Sequence, residues 1–196
     1  MKNIFDWDEV NTLIRILQLQ GVLYLVGTDP SSLEEEEVIK PVHLLERLAA
    51  CNYPLVENAS ISLFLLHPEL ASSVKTALRE SESDLAENIV VVTLATLYLQ
   101  QWWFFRLAFA FGQLPCFPEE PFRSLWEERH LPSPTVGYGR DGLLALQAYQ
   151  QQRCGVPLNF LADWQNQIDH LLAQEEAYQR PLSEDSRHAL AQKLSA

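Results

Sequence analysis

Apolar residues recur along this chain at helical spacing, and proline and glycine cut the pattern into segments. Leu13, Ile14 and Leu17 fall on one stripe of a first helix, for which Asp8 or Asn11 supplies the cap. The run "GVLYLVG" that follows fits a short strand over 22–26 or a continued helix equally well. Residues 28–40, with a Pro-Ser-Ser turn and the run Glu34, Glu35, Glu36, Glu37, read as an acidic loop or the acidic first turn of a helix. From Pro41 the pattern becomes regular. Pro41, Pro54 and Pro68 each open an amphipathic segment, "PVHLLERLAAC", "PLVENASISLFLLH" and "PELASSVKTALRE", at the one helical position that tolerates a missing N–H. Short links force these helices to pack as neighbours, so 41–80 should form a HEAT-like stack of helix pairs.

The segment after Ser83 or Asp84 differs in kind. No charged residue occurs from Ile89 to Phe105, and the pattern is apolar on nearly all sides rather than on one stripe. Three objects have this signature: a central helix surrounded by others, a membrane span, or the wall of a lipid or pigment pocket. Gln100 and Gln101 lie in the middle, and Arg106 follows within the same run, "YLQQWWFFRLAF". In hydrocarbon each would cost on the order of a few kcal/mol, so the pattern favours a buried central helix over 84–112. Its glutamines and arginine must then reach loop carbonyls or a carboxylate. Trp102, Trp103, Phe104 and Phe105 read mostly as core, with any ring left exposed marking an interface.

Beyond Gly112, the Pro-rich loops "QLPCFPEEPF" and "HLPSPTVGYG" flank a short helix, "EEPFRSLWEERH". Two longer helices follow, "RDGLLALQAYQQQRC", stopped by Gly155 and Pro157, and "LNFLADWQNQIDHLLAQEEAYQ", capped by Asn159. No segment sustains period-two alternation. The fold class is therefore all-α: an irregular bundle or helix-pair stack of about seven or eight helices around the central one. One domain spans 1–180, its C-terminal helices at 119–175, with a polar tail at 181–196.

Composition narrows the function. The 26 acidic and 14 basic residues leave a net charge of −12, which repels nucleic acid phosphate and anionic membrane surfaces and favours partners with basic surfaces. Cys51, Cys116 and Cys154 are odd in number and widely spaced, as reduced thiols in a cytoplasmic protein are. Each reads as a small buried hydrophobe. Asp6, Asp8 and Glu9 stand where a secretory signal would carry its apolar core.

Three constellations offer chemistry. Gly137, Gly139 and Gly142 match the dinucleotide spacing G-x-G-x-x-G, but that motif must follow a buried strand, and two prolines precede it here. Glu127 and His130 have the spacing that puts a carboxylate and an imidazole on one helical face, yet a di-iron bundle needs a second pair and two more glutamates. The simpler expectation is that His130 complements the helix C-terminus. A cysteine nucleophile would need a histidine brought from elsewhere in the chain; His67 reads instead as a turn residue and His170 as a surface one. An enzyme site, if any, would assemble from the C-terminal loops, with Glu127, His130, Arg140 and Asp141 converging on a cleft. No cofactor or metal is expected.

The segments "PLVENASISLFLLHPELASSVKTAL", "YLQQWWFFRLAF" and "GLLALQAYQQQRCGVPLNFLADWQNQIDHLL" resemble a group of uncharacterised bacterial helical proteins, cyanobacterial ones among them. The resemblance implies an accessory or antitoxin-like partner of a nucleotidyltransferase-like protein, and it transfers no catalytic residue. The residues themselves point to a soluble, non-enzymatic protein-binding module. A basic or apolar partner surface would dock near the 112–140 loops, where Trp126 and Tyr138 stand, or on Glu34 to Glu37. Self-association is compatible with the same surface.

Overall fold

The structure, a computed structural model, describes residues 6–26, 39–51, 53–112 and 116–179. Glu34 to Glu37 and the tail 181–196 lie outside the described residues. Every regular element among the described residues is helical, as the pattern requires.

Helix α1 (Trp7–Leu19) buries Val10, Leu13, Ile14 and Leu17. Its cap is Asp6, not Asp8 or Asn11. The Asp6 backbone is extended, and its carboxylate accepts from the N–H groups of Asp8 at 3.2 Å and Glu9 at 3.3 Å, so Asp8 and Glu9 become an acidic first turn suited to the helix dipole. Gly21, at φ 85°, turns the chain. Residues 22–26 form neither strand nor helix but a loop that buries Val22 and Leu25.

Pro41 and Pro54 open α2 (Pro41–Ala50) and α3 (Pro54–Asn58) at their first positions. Pro68 begins a 3-10 turn (Pro68–Leu70) leading into α5 (Ala71–Glu80), after α4 (Ser60–Leu66). His67 is indeed a turn residue, holding Gln20 O at 2.8 Å and Glu69 at 3.0 Å. The helix α2 has two working faces. Leu45 and Ala49 pack into the large core around the central helix, whereas Leu44 and Leu48 join α1, Val56 and Leu63 in a second, smaller core.

Helix α6 (Ser83–Trp102) is the axis of the larger core, and Ile89 through Gln100 are buried without interruption. Helices α2, α4 and α5 pack on one part of it, and α9 (Arg140–Cys154) on another. No helix among the described residues is long and apolar enough to cross a membrane. The two glutamines and the arginine of this run find polar partners. Gln100 donates to Phe117 O at 2.8 Å and accepts from Phe117 N at 3.0 Å, while Gln101 donates to Glu119. Arg106 reaches Asp169 at 3.4 Å.

The predicted helix 84–112 is not continuous. Trp103 leaves helical geometry at φ −101°, ψ 15°, and α7 (Phe104–Phe111) begins after it. The break falls where full burial stops: from Gln101 onward the side chains are only partly covered or exposed, Leu107 excepted. A 3-10 turn (Glu120–Phe122) and α8 (Arg123–Glu128) replace the single helix read in "EEPFRSLWEERH". Gly155, in the left-handed region at φ 70°, ends α9. Asn159 accepts from Ala162 N at 3.2 Å ahead of α10 (Phe160–Gln179), as expected of a cap.

Candidate functional site

The residues singled out in the C-terminal loops take up different settings in the fold. Trp126 is 7% exposed and belongs to the core, so the interface role read for it is corrected: its ring is spent on packing. Tyr138 is exposed, in a short 3-10 turn (Val136–Gly139) where both it and Gly137 have positive φ. Glu127 pairs with Arg123 at 3.3 Å on the surface of α8. His130 lies past the end of α8 at φ 53°, with Leu131 N bonded back to Trp126 O at 2.9 Å. That left-handed helix terminus removes His130 from the helical face it was expected to share with Glu127. Asp141 folds beneath Gly137, and Arg140 opens α9 exposed. The His130 N–H donates to Glu127 O at 3.1 Å, but among the described residues no side-chain hydrogen bond or ion pair joins any two of Glu127, His130, Arg140 and Asp141, and no cluster of His, Cys, Asp and Glu could hold a metal ion.

The glycine motif has a packing purpose. A Cβ on Gly142 would lie 2.6 Å from Tyr98 Cζ, and one on Gly139 would lie 2.9 Å from the Tyr98 carbonyl carbon. Both glycines let α9 cross α6 at close range. Tyr98 is held there by its hydroxyl, which donates to Pro132 O at 2.8 Å, and burial pushes its pKa up.

Cys51 is buried, and burial raises its pKa; Cys116 and Cys154 are exposed, against the expectation that all three are buried. The most connected polar group is Glu87 on α6. It takes Arg129 by a fork of bonds at 2.9 and 2.5 Å and the Tyr149 hydroxyl at 2.7 Å. Burial alone would raise its pKa, but those bonds prevail and hold the carboxyl below its ordinary range. Arg129 also donates to Leu125 O at 2.9 Å. Each member is saturated by the others, so the group acts as a strut between α6, α8 and α9 rather than as a reactive centre. Glu57 on α3 differs: half-buried, it is pushed up to about 7 by burial, against the opposing pull of Arg153.

The surface with functional character lies on α7. Leu107 is the residue this helix buries fully. Phe105 and Phe109, one turn apart, are 83% and 94% exposed, and Phe104 beside them is exposed as well. A packed helix turns its rings inward; here the aromatic face looks out. Phe105, Phe109, Ala110, Leu172, Glu175 and Glu176 line a groove of about 250 Å³ between α7 and α10. Arg106 closes its edge, stacked over Trp103 at 4.8 Å and bonded to Asp169. Chemically, the groove offers large apolar area with an acidic margin.

A second feature is a polar cleft between α3 and α10, lined by Pro54, Leu55, Asn58, Asp163, Asn166 and His170, with Gln167 also at its wall. His170 stacks on Tyr24, ring centroids 5.0 Å apart. It is the surface residue expected.

The aromatic run itself was legible, but which of its rings would be exposed was not. The one signal available was Arg106, whose charge marks the solvent side of α7 and places Phe105 and Phe109 beside it on the wheel. The α3–α10 cleft left no signal, because its walls come from residues some 100 positions apart, such as Asn58 and Asp163. Compared with models of known protein families, with curated proteins and with solved structures, the chain finds no match.

Proposed function

We propose that this protein is a cytoplasmic, non-enzymatic binding module that docks another protein on the aromatic face of α7. The observation that supports the reading is the outward exposure of Phe105 and Phe109, one turn apart on an otherwise ordered helix. Two phenylalanines in water forgo on the order of 1.5–3 kcal/mol each that burial would return. A partner that covers them recovers that energy, and exposed aromatic clusters of this kind are what protein interfaces bury at their centres.

The partner's chemistry follows from the margin. Glu175 and Glu176 border the groove, and the chain as a whole carries −12. The complement is a helix with an apolar stripe flanked by lysine or arginine. The docking face proposed, on α7 and α10, lies outside the 112–140 loops and away from Trp126.

The test compares tagged wild-type protein with Phe105→Ser/Phe109→Ser in affinity purification from the native cytoplasm, with mass spectrometry and light scattering of the eluates. A stoichiometric partner retained by wild type and lost by the double variant supports the reading. A partner kept equally by both removes the α7 face from it, and an unaccompanied wild-type dimer that the variant dissociates would make the partner a second copy of the chain.

A further inference from the structure

Residues 180–196 follow directly on α10 and lie outside the described residues, and their sequence contains a segment of the kind that the α7 groove fits. Pro181 cannot continue α10, since it has no N–H to donate and its ring clashes with the preceding turn. Ser183 suits a helix N-cap, with Glu184 and Asp185 in the first turn and Lys193 in the last. At helical spacing Leu190, Ala191 and Leu194 fall on one face, and Arg187 stands one turn before Leu190 on that face. The chain as a whole carries −12, yet this stretch holds three cations, Arg180, Arg187 and Lys193, against the two carboxylates of Glu184 and Asp185.

We propose that residues 184–196 of the same chain occupy the groove between α7 and α10, and that a protein partner has to displace them. The inference rests on the α7 docking reading for the partner, though not for the contact itself. Reach is the first argument. Groove residues Leu172 to Glu176 stand three to seven residues before Gln179, about 4–11 Å from the end of α10 along its axis. The four residues 180–183 suffice for the turn of an αα-hairpin, and the segment after them runs back antiparallel to α10. With Glu184 level with Gln179, equal rise sets Arg187 beside Glu176 and Ala191 beside Leu172. Complementarity is the second argument. Leu190 and Leu194 are one turn apart, as are Phe105 and Phe109, which are 83% and 94% exposed. The same register that lays the leucines along the aromatic face brings the Arg187 guanidinium to the acidic margin at Glu176.

The contact is weak, as a displaceable one must be. A helix of about twelve residues is marginal by itself, and two leucines laid on two phenylalanines offset little more than the entropy of ordering it. The tether compensates by holding the segment at an effective concentration on the order of millimolar. Docked and released forms are then comparable in population, with the docked one favoured by about one- to threefold. That lowers the apparent affinity of a partner by about two- to fourfold. A partner helix with a longer apolar stripe covers the same rings and takes the place of the tail.

The experiment records NMR cross-relaxation (NOE) in the isotope-labelled full chain between the methyls of Leu190 and Leu194 and the rings of Phe105 and Phe109. The expected result is a set of cross-peaks between these groups that persists on dilution. Backbone shifts over 184–195 should be displaced toward helical values and return to coil values in Phe105→Ser/Phe109→Ser. A second variant, Leu190→Ser/Leu194→Ser, alters no described residue; it should move the signals of Phe105, Phe109 and Leu172 and leave those of the buried Phe64 in place. Absence of the cross-peaks, tail shifts that are the same in Phe105→Ser/Phe109→Ser, or groove signals that ignore the tail variant would overturn the inference. Cross-peaks in a filtered spectrum of mixed labelled and unlabelled protein would overturn it in favour of a second copy. No partner enters this measurement, so its failure leaves the α7 reading standing. A partner retained equally by wild type and Phe105→Ser/Phe109→Ser, with the cross-peaks present, would remove the α7 reading and the displacement together and leave the intramolecular contact.

Discussion

Gly142 on α9 sits against the ring of Tyr98 on α6 with no room for a side chain: a Cβ would come within 2.6 Å of Cζ. Tyr98 is fully buried and tethered to Pro132 O, so the ring cannot swing aside without losing its own bond. Gly142→Ala must therefore part the two helices. Overpacking of a dense core costs roughly 1–3 kcal/mol, and for a chain of this size that lowers the melting temperature by roughly 2–12 °C. Thermal unfolding followed by circular dichroism measures it; a change of under a degree would mean that the helices are not in this contact. Gly139→Ala should be worse, because φ at that position is +82° and a side chain is strained there as well as crowded.

The exposed rings of α7 behave in the opposite way. Phe105→Ser and Phe109→Ser remove area that is already in water, so each should shift stability by no more than about 0.5 kcal/mol. Phe64→Ala, by contrast, empties a site that is 1% exposed and should cost about 3–5 kcal/mol. Denaturant unfolding of the three variants separates the two classes. A large loss in Phe109→Ser would show that the ring packs against part of the fold, and would remove the basis for reading it as an interface.

The strut at Glu87 predicts an acid limb. Its folded pKa is depressed below the ordinary carboxylate value by Arg129 and Tyr149, which outweigh burial. A depressed carboxylate contributes stability that is complete above its unfolded pKa, about 4.3, and is lost as pH falls through the lower folded value. Arg129→Met leaves the half-buried carboxylate without its fork of bonds and should cost on the order of 2–3 kcal/mol at pH 7. Glu87→Gln/Arg129→Met should recover part of that loss. Equal stability of the single and double variants in chemical denaturation would argue that the pair is not coupled.

Glu57 predicts a limb of the other sign. Its folded pKa is raised from 4.5 to about 7, so the protonated form favours the fold. The associated stability is full below the unfolded value and is lost as pH rises toward the folded one, between about pH 4.5 and pH 7. Glu57→Gln should match wild type near pH 4.5 and exceed it by on the order of 1–2 kcal/mol at pH 8. Stability curves of the two proteins that run parallel across that range would contradict the assignment.

The chain's local physics was legible in its text. Pro41 and Pro54 start helices because a missing N–H is harmless at the first position, and Asn159 caps because a short side chain can reach back to an N–H. The uncharged run from Ile89 specifies a helix surrounded by others, since Gln100 could be satisfied by the Phe117 backbone and not by hydrocarbon. These features depend on neighbours within a turn or two, or on the bare composition of a face. The cap of α1 was misplaced by two positions from Asp8 because Asp6, Asp8 and Asn11 are all competent and only the backbone conformation chooses.

What depends on distant segments came from the tertiary structure alone. Trp126 and Phe109 are both large aromatics in helices; one is core and the other is in water, because helices cover the first and none of the described ones covers the second. The glycine spacing of 137–142 matched a phosphate loop, and Tyr98 arriving from some 40 residues earlier gave it a different purpose. The all-helical class, the positions of the helices and the buried central segment follow from hydrophobic periodicity and capping, which are short-range. The outward face of α7, the cleft between α3 and α10 and the burial of Trp126 follow from which surfaces meet, and burial is a property of the assembled chain rather than of any residue in it.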